Sequence, residues 1–173
     1  MRPALLALVV ALPASALAAP PAPTPAPVRA DLAALHAECR SYGGRPGASP
    51  SLLKSADLNG DGLADYVIDQ GGYDCDGAAS AMGAGQSGAA VRVYAGLPGG
   101  GAKLAWQNTA YGTTIATAGA RARLWIDTAG FECGQRNPNL PFSAWTFCSR
   151  PLNWSAAKAA FVYAPLSEAK LVK

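Results

Sequence analysis

The sequence predicts a mainly β fold of the α+β kind, an antiparallel β domain carrying one N-terminal helix. Two observations predict it. From residue 52 onward, short runs of apolar and β-branched residues alternate with Gly, Pro and Asn. Only residues 29–42 place apolar side chains at three- and four-residue spacing, with Leu32, Leu35, Cys39 and Tyr42 on one stripe.

Composition explains why such a domain needs help to fold. Half of the 173 residues count as hydrophobic, but 38 of the chain's residues are alanine. Beyond residue 18, only 26 Leu, Val, Ile and Phe side chains remain. A core this thin calls for cross-links or a metal. The small net charge of +3 argues against a disordered chain, and the length excludes a large two-domain enzyme.

In chain order, residues 1–18 read as a secretory signal peptide. Arg2 is the positive start, residues 4–12 the apolar stretch, and Ala16-Leu17-Ala18 the small-residue cleavage site. The apolar run ends at Pro13, too short to span a bilayer. The expectation is an exported chain, periplasmic or extracellular, with no membrane insertion after cleavage. Residues 19–28 form a Pro/Ala-rich linker, and 29–173 a single domain.

The helix predicted over 29–42 stops at Gly43-Gly44. Strands are predicted at 52–56, 65–69, 91–95, 103–107, 111–117, 121–127, 145–148, 152–154 and 160–164. Residues 77–90 lack periodicity and bulk and read as a flexible loop, and residues 97–101 as a turn. Cys39, Cys75, Cys133 and Cys148 are an even set in an exported chain, which favours two disulfides. Three pairings are open. Proximity favours Cys133 with Cys148, and elimination then leaves Cys39 with Cys75.

The most specific motif is Asp57-Leu58-Asn59-Gly60-Asp61-Gly62-Leu63-Ala64-Asp65. Oxygen side chains fall at positions 1, 3, 5 and 9, with Gly62 at position 6 allowing a sharp turn and the Leu63 carbonyl available at position 7. This array suits Ca2+, which takes six to eight oxygens in irregular geometry, better than Mg2+. The candidate metal ligands are therefore Asp57, Asn59, Asp61, Leu63 and Asp65. Residues 57–76 hold six Asp and no basic residue, a further reason to expect a cation there. The competing explanation is a metal-free turn, since Asp, Asn and Gly also favour turns.

Ile68 stands where an EF-hand would place its bidentate Glu, and the flanks read as strands. Residues 57–68 resemble the calcium hairpin of FG-GAP and VCBS repeats, whose Asp-x-Asn-Gly-Asp-Gly-x-x-Asp loop precedes an apolar strand. The resemblance covers about 20 residues and implies the same ligands; a single such loop does not make a propeller. More widely, the chain resembles a group of small secreted proteobacterial proteins. The shared features are Cys39-Arg40 with Gly43-Gly44, the Asp loop, Cys75-Asp76-Gly77-Ala78-Ala79-Ser80, and Leu152-Asn153-Trp154. This second resemblance implies no activity.

Other residues carry weaker signals. His36 is the only histidine and reads as a packing or surface residue, and no Ser/His/Asp set is visible. Trp106, Trp125 and Trp154 are expected in the core. Between Cys133 and Cys148, Arg136, Phe142 and Trp145 form a candidate binding set, against the plainer expectation that the aromatics fold back on the core. The basic residues are scattered, which argues against nucleic acid.

Together these observations predict a mainly β (α+β) chain: a compact antiparallel β domain with one N-terminal helix, two disulfides and one calcium-binding hairpin loop. The expected function is that of a monomeric, exported calcium-binding module, more a binder than an enzyme, with a protein or envelope glycan as partner. The alternative is a secreted hydrolase or hydrolase inhibitor acting through the Cys133–Cys148 segment.

Overall fold

The computed structural model describes residues 23–82, 85–118 and 121–172. The signal segment 1–18 and residues 19–22 lie outside the described residues. The described chain is mainly β, with antiparallel sheets, two helices and the disulfides Cys39–Cys75 and Cys133–Cys148.

Helix α1 runs Ala26–Ser41, three residues earlier than the apolar spacing predicts, so the linker expected over 19–28 is helical at its end. Pro27, in the first turn, and Val28 after it explain the extension. Proline is preorganised at a helix start, and Val28, one turn in, is fully buried. The helix closes on Gly43-Gly44 for two different reasons. Gly43 adopts φ +79°, while a Cβ on Gly44 would stand 2.5 Å from Cys75 Sγ.

Strands follow as β1 (Arg45–Pro46), β2 (Leu53–Ala56), β3 (Asp65–Asp69) and β4 (Cys75–Asp76). After helix α2 (Ala79–Met82) come β5 (Ala89–Leu97), β6 (Gly101–Ala110), β7 (Gly112–Ala118), β8 (Arg121–Ala129), β9 (Phe147–Ser155), β10 (Ala160–Tyr163) and β11 (Lys170–Leu171). One sheet has the order β2-β3-β5-β6, and a second the order β10-β9-β8-β7 with β11 also on β9. β1 and β4 form a separate two-stranded ladder.

The two-residue period of each strand divides the burial between two cores. Val67, Val91, Val93 and Ala95 of the first sheet meet Leu124, Ile126, Leu152 and Phe161 of the second. Ile68 and Tyr94 point the other way and pack under α1 with Val28, Leu35, Cys39, Leu52 and Met82. The result is three layers, helix on sheet on sheet. The Cys39–Cys75 bond lies inside the helix-covered core.

Three expectations are corrected. The strands predicted at 145–148 and 152–154 are one strand, β9. Pro151 sits where β9 changes its partner on one side from β11 to β10, so its missing N–H breaks no continuous ladder. The 77–90 stretch is not a plain loop: α2 and a 3₁₀ turn at Gly85–Ser87 occupy it, with Ala78 and Met82 buried. Trp106 and Trp154 pack on the core as expected. Trp125 faces outward beneath the Lys170 ammonium, 4.1 Å from the ring centre, with the Arg123 guanidinium 5.8 Å away.

Candidate functional site

The Asp-rich motif forms the connection between β2 and β3, which pair antiparallel with Ala56 opposite Asp65. Short polar side chains curl the connection onto itself. Asp57 accepts the Gly60 N–H at 2.7 Å on one oxygen and the Gly62 N–H at 2.9 Å on the other. Asn59 Oδ1 accepts the Asp61 N–H at 2.9 Å, and Asp61 Oδ1 accepts the Leu63 N–H at 2.8 Å. Asn59 Nδ2 also donates to Asp61 Oδ2 at 3.0 Å. Gly60 and Gly62 both lie at positive φ, +84° and +81°, where a side chain would strain the turn.

Asp65 lies beneath this loop, fully buried at the start of β3. Its Oδ2 accepts the N–H groups of Leu58 and Asn59 at 2.8 and 3.1 Å, and its Oδ1 that of Gly96 at 2.9 Å. Burial pushes its carboxyl above the usual carboxylate range, Asp61 adds to this, and the three amides oppose it. Among the described residues, Asp65 has no salt-bridge partner.

The six Asp of 57–76 are dispersed by the fold rather than gathered. Asp69 turns into the protein, 5% exposed, and pairs with Lys54 at 3.3 Å. Asp74 and Asp76 flank Cys75 on the exposed side of β4. Among the described residues, no three acidic, His or Cys side chains stand close enough together to hold a metal ion. The donor chemistry of the loop itself fits a hard cation. A carboxylate offers about four lone-pair positions. Asp57 uses two of them on loop amides, whereas Asp65 uses three.

The second predicted site is an aromatic corner. Phe142 packs against Trp145 at 5.3 Å, Phe147 at 5.6 Å and Tyr111 at 6.3 Å between ring centres. Trp145 donates its indole N–H to the Leu140 carbonyl at 3.0 Å. The aromatics thus contact one another; Phe142, Trp145 and Phe147 are half-buried, while Tyr111 and Arg136 are exposed. Tyr111 belongs to this cluster although spacing gave no hint of it; its position between β6 and β7 brings it there.

His36 stacks on Tyr73 at 5.7 Å, and the four cysteines are disulfide-bonded. No helix among the described residues is long and apolar enough to cross a membrane. Fold and sites define a disulfide-stapled β-sandwich backed by a helix. The chain matches no protein-family model, no curated protein and no solved structure.

Proposed function

We propose that the protein is an exported, monomeric binding module in which calcium, held in the 57–65 loop, plays a structural part. The observation that carries the reading is Asp65, a fully buried carboxylate with no basic partner among the described residues. A cation in the loop above it would offset that charge and those of Asp57 and Asp61. Asp57, Asn59, Asp61 and the Leu63 carbonyl would hold the ion, with the remaining lone pair of Asp65 beneath. The two disulfides support an oxidising compartment, in keeping with the signal-like residues 1–18.

Partner recognition falls to the aromatic corner of Phe142 and Trp145 and to the exposed Arg136 of the same Cys133–Cys148 segment, with a protein or envelope glycan as occupant. A binder is favoured over a hydrolase because the only histidine stacks on Tyr73 and no thiol is free.

Thermal unfolding with calcium and with chelator tests the metal. The expected result is a higher melting temperature with calcium, most of the shift being lost in Asp61→Ala. No shift, with no binding heat by calorimetry, overturns the reading.

A further inference from the structure

Strand β7 ends its sheet, so one side of its backbone has no strand partner among the described residues. Its sequence, Gly-Thr-Thr-Ile-Ala-Thr-Ala, contains no charge and no proline and is rich in β-branched residues. Such an edge invites pairing with another chain, and proteins commonly block it with a lysine. The lysine here comes from the other sheet. Lys54, on the end strand β2, reaches across the open side of the sandwich to the Thr113 carbonyl at 2.7 Å and the Thr113 Oγ1 at 2.6 Å. Asp69 holds the arrangement, accepting the Thr113 hydroxyl at 2.6 Å and the Lys54 ammonium at 3.3 Å on Oδ2, and the Gly71 N–H at 3.1 Å on Oδ1.

We propose that Lys54, locked by Asp69 and Thr113, is an edge guard that prevents β7 from pairing with β7 of a second copy of this chain. The occupant excluded is a second copy because the strand suits itself. An antiparallel pairing centred on Ile115 sets Thr113 against Thr117 and Thr114 against Ala116, with no like charges opposed. Such a pairing is two-fold symmetric and closes as a dimer. With Lys54 in place, its ammonium already occupies the Thr113 carbonyl that a second strand would need.

Sedimentation velocity over a concentration series tests this with the variant Lys54→Met/Asp69→Asn. Removing both charges together avoids leaving Asp69 buried and unpaired. The wild type is expected to stay monomeric. The double variant is expected to self-associate at least about tenfold more strongly, equivalent to about 1.4 kcal/mol. Adding Thr114→Lys, which places an unpaired charge on the exposed face of β7, is expected to restore the monomer. If the double variant does not fold, Lys54→Gln/Asp69→Asn, which keeps a polar head on a shorter stem, carries the same comparison. A folded variant that stays as monomeric as wild type overturns the proposal. So does association that persists after Thr114→Lys, because another surface is then responsible.

Discussion

Asp65 serves two structures at once. It closes the loop through Leu58 and Asn59 and ties it to β5 through Gly96. Replacing it with alanine leaves three amides without their acceptor, and each unsatisfied buried group costs about 1–3 kcal/mol. Asp65→Ala is therefore expected to lose at least about 3 kcal/mol of stability in denaturant unfolding, with or without calcium. Asp61→Ala is expected to cost far less in chelator, because the Asp61 bonds are exposed. That contrast separates a ligand from a structural anchor. The spacing of the motif already marked both residues as oxygen donors. It could not show which is buried, because burial depends on Gly96, 31 residues away.

Among the elements, the sequence located strands better than it located their ends and partners. Apolar alternation found β3, β5 and β8, whose side chains divide cleanly between two faces. It could not join the two halves of β9, because Pro151 reads as a break until the neighbouring strands are known. Nor could it place Trp125. That residue alternates correctly with Leu124 and Ile126, yet its face carries Lys170 from the far end of the chain. The disulfides followed from proximity and elimination, and their two loops differ in size. Cys133–Cys148 closes a separation of 15 residues and Cys39–Cys75 one of 36. Loop-closure entropy gives about 3 kcal/mol for the first and about 4 kcal/mol for the second. Paired Cys→Ala variants, followed by chemical denaturation, are expected to lose stability in that order. The Cys133/Cys148 variant should also change the fluorescence of Trp145, whose aromatic corner that bond clamps.

At the scale of the whole molecule, both cores carry a tyrosine that resists ionisation. Burial pushes Tyr94 up to about 12, aided by its hydrogen bond to the Asp31 carboxylate, and burial likewise pushes Tyr163 up to about 12. Their unfolded counterparts ionise near 10. The folded state therefore holds these protons more tightly, and the stability they confer is intact below about pH 10. It falls as pH rises from there through about 12. An alkaline titration followed by tyrosinate absorbance and circular dichroism is expected to show late ionisation coupled to loss of fold. A Tyr94→Phe variant should retain more of its stability over the same interval.

β5 makes these separate sites into one system. Its alternate side chains enter both cores, Val91, Val93 and Ala95 on one side and Tyr94 on the other, and the Gly96 amide near its end holds Asp65. A Cβ on Gly96 would stand 2.4 Å from the Ala64 carbonyl oxygen, so loop and strand meet there backbone to backbone. Loss of this shared strand opens both cores at once. The domain should therefore unfold in a single cooperative step, with the slowest amide exchange along β5. A cation bound in the loop would then slow the opening of both cores, including the one under the helix.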